Sequence, residues 1–166
     1  MTFADIPNGA SVFVDANPFV YAFAPHVQFA PPGSRLLKRV EHGEFAGFTS
    51  SAVLSDVAHR LMTLEACAAF SWPYAGIASR LKKHPAQLQL LACFRQAVDD
   101  NIGMGFQVLP SQARHVAATA VASQNFGLLS NDAPIVVLME DNQFVHLASH
   151  DADFDRVPNL TRYAPI

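Results

Sequence analysis

Residues 11–23 read Ser11-Val12-Phe13-Val14-Asp15-Ala16-Asn17-Pro18-Phe19-Val20-Tyr21-Ala22-Phe23. The first four are a short apolar run rich in β-branched residues, which predicts a buried strand ending at Asp15. Asn17-Pro18 breaks that pattern, and Phe19–Phe23 opens a helix. The same grammar recurs downstream. Phe45–Thr49 predicts a second strand, after which Ser50-Ser51 cap a helix with Val53, Leu54, Val57, Ala58, Leu61 and Leu64 at helical spacing. Phe106–Leu109 predicts a third strand, Leu128–Ser130 a fourth and Phe144–Ala148 a fifth. A helix opening at Pro110-Ser111 and stopping at Gly127 lies between the third and fourth. Strands alternating with helices predict an α/β fold, a parallel sheet covered on both faces.

Between these elements, Pro25, Pro31, Pro32 and Gly33 predict a loop, with a helix resuming over Ser34–Val40. Residues 70–100 read as further helix punctuated by Trp72-Pro73 and Pro85. No repeat, low-complexity stretch or linker interrupts the chain, so residues 1–166 read as one domain.

Three acids share a placement. Asp15, Asp132 and Asp151 each stand at, or within two residues of, the end of a predicted strand. In an open parallel sheet ligands bind outside the carboxyl ends of the strands, so all three fall on one edge. Asp56, in the helix after the second strand, leans over the same edge. Gathered carboxylates raise one another's pKa and stay ionised together only around a cation. Oxygen donors without His or Cys suit Mg²⁺ or Mn²⁺, which can polarise a phosphate and acidify a bound water. Each acid also has a plain structural role open to it. Asp132 before Ala133-Pro134 suits a helix N-cap, Asp15 a turn, and Asp151, Asp153 and Asp155 a solvated loop. Asp56 can form a surface ion pair with Arg60, worth about 0.3–0.5 kcal/mol.

The chain carries a net charge of −3, with 51% apolar and 15% charged residues. That balance describes a globular chain and argues against a broad basic surface for nucleic acid. Two basic clusters stand out: Arg35, Lys38 and Arg39, and Arg80, Lys82 and Lys83. Each is a solvated helix face or a candidate contact for an RNA backbone. Cys67 and Cys93 lack CxxC spacing and read as reduced, buried thiols. The run Val12–Ala24 is broken by Asp15, Asn17 and Pro18 and falls short of the roughly 20 apolar residues of a membrane span. The first ten residues lack the basic start of a secretory signal, so the expected location is cytoplasmic.

Four segments, in order, resemble the motifs of PIN domains: Val12–Phe23 (VFVDANPFVYAF), Thr49–Met62 (TSSAVLSDVAHRLM), Leu128–Met139 (LLSNDAPIVVLM) and Leu147–Val157 (LASHDADFDRV). The resemblance covers essentially the whole chain and is nearest to the VapC-like toxins of type II toxin–antitoxin systems. It implies a three-layer α/β/α sandwich around a five-stranded parallel sheet in the order 3-2-1-4-5, with Asp15 and Asp132 side by side at the first and fourth strands. It implies a metal-dependent ribonuclease that cuts RNA with Mg²⁺ or Mn²⁺ on Asp15, Asp132 and Asp151, with Asp56 as a fourth catalytic acid. Asp155 is a possible helper, and Asn17, Ser130 and Ser149 would hydrogen-bond the acids or bound water. It further implies a homodimer and a small cognate antitoxin that covers the cleft.

One position departs from the pattern. The second motif usually carries Glu, and here Asp56 is one methylene shorter, about 1.5 Å less reach. Glu41, Glu44 and Glu65 are nearby in sequence but do not match the motif. The departure leaves open a weakened PIN fold that binds RNA or protein without cutting. A phosphatase with an aspartyl nucleophile is a third reading, but it usually carries Asp-x-Asp after the first strand, where this chain has Asp15-Ala16-Asn17.

Overall fold

The structure, a computed structural model, describes residues 1–24 and 28–166, with the side chains of residues 101 and 102 left aside. Five strands make one sheet: β1 Ser11–Val14, β2 Ala46–Ser50, β3 Gln107–Leu109, β4 His146–Ala148 and β5 Thr161–Tyr163. Their order is β3-β2-β1-β4-β5, and every pair is parallel. The chain leaves β1 toward one side of the sheet and, after β3, returns to build the other. Right-handed crossovers therefore place the intervening helices on opposite faces. One layer holds α1 (Ala16–Phe23), α2 (Ala30–Glu41), α3 (Ser51–Phe70) and α6 (Cys93–Gly103), while α7 (Ala113–Phe126) packs on α8 (Ala133–Asp141) in the other. Two short helices, α4 (Ile77–Lys83) and α5 (Pro85–Leu88), follow α3. Among the described residues no helix is long and apolar enough to cross a membrane.

The core sits on the β1 strand. Val12, Phe13 and Val14 are fully buried, and Phe19 of α1 packs edge-on against Phe106 at 5.0 Å between ring centroids. β2 carries Gly47 at the point where Val40 of α2 and Phe106 close in. A Cβ there would lie 2.7 Å from Val40 Cγ1 and 2.8 Å from the Phe106 ring, so a side chain would push both buried neighbours apart. A second apolar cluster, Ala66, Ile77, Leu81 and Leu91, forms at the far end of α3.

Several expectations need correction. Leu128–Ser130 is not a strand: Leu128 is buried, Leu129 is exposed, and Asp132 and Ala133 donate their N–H groups to the Leu129 carbonyl in a turn. Only six residues separate a left-handed Gly127 from Pro134 in the first turn of the next helix, and the turn closed on the Leu129 carbonyl uses them up. The expected fifth strand is therefore the fourth, and the real fifth, Thr161–Tyr163, was not anticipated. Prolines also misled. Asn17-Pro18 lies inside the first turn of α1, and Pro31 and Pro32 open α2 instead of marking a loop. First-turn N–H groups have no helical partner, so proline costs nothing there. Pro25 lies outside the described residues. α7 begins at Ala113, after Pro110-Ser111. Cys67 is half-buried and Cys93 exposed, so the thiols do not form a buried pair.

Candidate active site

Asp15 follows the last residue of β1 and caps α1. Its Oδ1 accepts the Ala16 N–H at 2.6 Å, and its Oδ2 accepts from Ser149 Oγ at 2.7 Å and Asn17 Nδ2 at 3.0 Å. Both oxygens are thus pinned, and the residue is only 7% exposed. Burial pushes its pKa up, and the hydrogen bonds from Ser149 and Ala16 and the nearby Arg60 oppose that rise.

Ser149 supplies the link to the neighbouring strand. It follows β4, is fully buried, and its Oγ also accepts the Asp151 N–H at 3.0 Å. Asp151 in turn caps the short 3-10 turn Ala152–Arg156 by accepting the Asp153 N–H at 2.9 Å. β1 and β4 are adjacent, with the Asp15 N–H donating to the Ala148 carbonyl at 3.0 Å, so the side-by-side strand ends belong to Asp15 and Ser149–Asp151. The expected pairing of Asp15 with Asp132 across strand ends is therefore incorrect in its route. Asp132 reaches the same edge from the N-terminus of α8. There it is 7% exposed and, among the described residues, accepts only from Asn131 Nδ2, at 3.0 Å. Burial first, and then the charges of Asp151, Asp15, Asp153 and Asp56, raise its pKa to about 6. Four other carboxylates thus stand near enough to Asp132 to act on its charge.

Asp56 is placed differently. It stands in the second turn of α3 with its side chain 46% exposed, and its ion pair with Arg60 is long, 3.8 Å. Arg60 donates instead to Asn17 Oδ1 at 2.8 Å, which ties α3 to the Asp15 network. Next to it, Tyr21 of α1 meets His150 Nδ1 through its hydroxyl at 2.6 Å, and Phe29 packs on both rings. Burial raises the Tyr21 pKa. Tyr21 and Arg60 stand in the wall of a largely apolar groove of ≈ 650 Å³, continued by Val20, Leu61, Leu64 and Ala97.

The remaining expected residues separate into two groups. Asn17 and Ser149 touch Asp15 directly. Ser130 is exposed and, among the described residues, hydrogen-bonds none of the acids. Asp155 is held by Arg162 in a two-pronged pair at 2.7 and 2.8 Å, and Arg162 also donates to the Ser149 carbonyl at 3.3 Å. Asp155 therefore braces the loop behind the site. Among the basic residues, Arg39 is committed elsewhere: it bonds Glu44, the Phe3 and Ile6 carbonyls and Asn8, and stacks over Phe45. Arg80 lies over Trp72, on the element after α3. Arg35, Lys38, Lys82 and Lys83 are exposed. Residues that the motif reading passed over are Asn131, Tyr21, His150 and Arg162. Asn131 and His150 adjoin motif acids in sequence, a local signal, whereas Tyr21 and Arg162 gain their place only through folding.

The donor set is all oxygen, which suits a hard divalent cation. Among the described residues no three His, Cys, Asp or Glu side chains are drawn tightly enough to cage an ion. An ion bound here would use one or two carboxylates and keep several waters, and the buried Asp132 and Asp15 are the residues that could hold it.

A search of curated protein sequences finds no match. Several solved structures share the fold. VapBC2 from Rickettsia felis, solved bound to a DNA fragment from their promoter, is 17% identical, with a TM-score of 0.55 over 93% of this chain and 98% of that one. PAE2754 from Pyrobaculum aerophilum is 15% identical, with a TM-score of 0.54 over 92% of this chain and 83% of that one. The sequence profile of the PIN domain matches residues 12–160. Sheet order, acidic edge and profile agree, and this chain belongs to the PIN-domain family.

Proposed function

We propose that this chain is a Mg²⁺- or Mn²⁺-dependent ribonuclease, the toxin of a type II toxin–antitoxin pair. PIN domains are generally nucleases, which supports hydrolase activity. The observation that carries the reading is the pairing of a pinned, buried Asp15 with an under-neutralised Asp132 on one sheet edge. Such a site is costly without a cation and ready to take one. A divalent ion bound there supplies charge neutralisation at a phosphodiester and acidifies water. Asp15 and Asp132 hold it, Asp151 and Asp56 complete the acidic rim, and Ser149 and Asn17 fix the Asp15 carboxylate so that its geometry is ready in advance. The exposed cations Arg35, Lys38, Lys82 and Lys83 would contact the RNA backbone away from the cut.

The toxin assignment rests on the order and wording of the four motifs, with support from the fold shared with VapBC2. It brings a small antitoxin that covers the acidic edge, and a cytoplasmic setting. It also brings a homodimer, for which α7 leaves Val116 and Val121 exposed. Labelled RNA should be cut with Mg²⁺ or Mn²⁺ and spared with EDTA, and Asp15→Asn should stop the cutting while the protein stays folded. If Asp15→Asn cuts like the wild type, the site is assigned wrongly.

One observation favours a second reading, a PIN fold that binds without cutting: Asp56 is short, exposed and no part of a preformed cage. Calorimetry with millimolar Mn²⁺ separates the two. No heat of binding, with RNA still bound, selects the binding module.

A further inference from the structure

An acidic edge repels the polyanion it is meant to cut, so a fixed cation is needed where the backbone comes in. Arg60 stands there. Its Nη1 is held by Asn17 Oδ1 at 2.8 Å, the Asp56 carboxylate at 3.8 Å lies beyond hydrogen-bond range, and among the described residues nothing accepts from its Nε or Nη2. The side chain is 38% exposed and stands in the groove wall. A guanidinium anchored by one nitrogen, with the Nε–Nη2 edge open, presents the fork that grips a phosphate with two parallel hydrogen bonds.

The ring of Tyr21 stands in the same wall, one helical turn past Asn17. It is braced at its hydroxyl by His150 and on its flank by Phe29. We propose that the mouth of this groove is a subsite for the RNA backbone, in which Arg60 binds the phosphate next to the cut and the braced Tyr21 forms part of the wall. The subsite rests on the ribonuclease reading, and it makes Arg60 a substrate-contacting residue where the motif reading offered only a surface ion pair.

The test uses the full chain and a fluorescein-labelled single-stranded RNA in EDTA, followed by anisotropy, so that binding is read without cutting. Arg60→Gln should weaken binding about 10–100-fold and lower the salt slope by about one. Arg60→Lys should keep the slope and lose part of the affinity, because an ammonium keeps the charge without the fork. Tyr21→Phe should bind within about twofold of wild type, because the phosphate is gripped by Arg60 and not by the Tyr21 hydroxyl. Mn²⁺ affinity by calorimetry should be unchanged or tighter in Arg60→Gln, where a purely structural role for Arg60 would loosen it. If wild type binds RNA and Arg60→Gln binds it equally with the same slope, the subsite is wrong and the ribonuclease reading stands. If wild type neither binds nor cuts RNA, the ribonuclease reading fails and the subsite with it. Should Arg60→Gln melt below the assay temperature, Arg60→Lys decides on affinity alone: weaker binding supports the subsite, and wild-type affinity overturns it.

Discussion

Asp15 and Asp56 are the same side chain in two settings. Asp15 is buried at a strand end, with three donors fixing its two oxygens, whereas Asp56 stands half-exposed on a helix with one long ion pair. A carboxylate pinned in advance spends nothing on ordering when a ligand arrives, and it fails completely if its chemistry changes. A loose carboxylate adapts, contributes less, and tolerates replacement. The contrast teaches that the site has a rigid half, on β1 and β4, and an adjustable half on α3.

The largest expected effect comes from the rigid half. Asp15→Asn should reduce RNA cutting by more than the ~100-fold that a supporting partner typically carries. Its amide nitrogen replaces one of the two acceptor oxygens and leaves at least one donor facing N–H, so a denaturant melt should also show a loss of about 1–3 kcal/mol. Ser149→Ala comes next: it removes the donor to Asp15 and the acceptor for Asp151 together, and single-turnover cutting should fall about 10–100-fold. If Ser149→Ala cuts normally, the rigid half is not rigid for a functional reason.

Asp132 tests charge instead of geometry. Its pKa is raised in the folded protein to about 6 from 3.8, so the folded state holds its proton more tightly than the unfolded chain does. The associated stability is fully present below about pH 4 and is lost as pH rises through about 6. Metal-free wild type should therefore lose melting temperature across that window, and Asp132→Asn should flatten the slope. At pH 7 the variant should melt higher, by about 2–4 °C for each kcal/mol of repulsion relieved. Millimolar Mn²⁺ should narrow the gap by stabilising only the wild type. Parallel pH profiles for the two proteins would remove Asp132 from the acidic cluster.

The adjustable half predicts the smallest change. Asp56→Glu restores the usual reach, and Mn²⁺ affinity should rise by a few-fold, roughly 1 kcal/mol or less, with the melting temperature nearly unchanged. A large loss of stability would mean that Asp56 is as fixed as Asp15 and that the contrast is false.

The strand at 11–14 and its terminal Asp were legible because a short apolar β-branched run bounded by an acid has few other readings. Asp151 was legible for a similar reason, lying just after the strand His146–Ala148. Asp132 was placed on the right edge through a strand that does not exist, since helix caps and strand ends put Asp before the same kind of boundary. β5 went unread because three residues carry too little pattern, and its pairing to β4 is a tertiary fact. The first-turn prolines of α1 and α2 read as breaks because sequence shows a proline without showing whether its missing N–H had a partner to lose.

Sequence alone determined the class of fold, the family motifs and the oxygen-only donor set, because periodicity and residue type are local properties. Tertiary structure decided which acids are fixed and which are free. It gave Asp15 its hydroxyl from a residue 134 positions away, diverted Asp155 to Arg162, and set Arg60 between Asn17 and an open groove. Hydrogen bonds and desolvation depend on what the chain brings near from afar, and no stretch of sequence carries that information by itself.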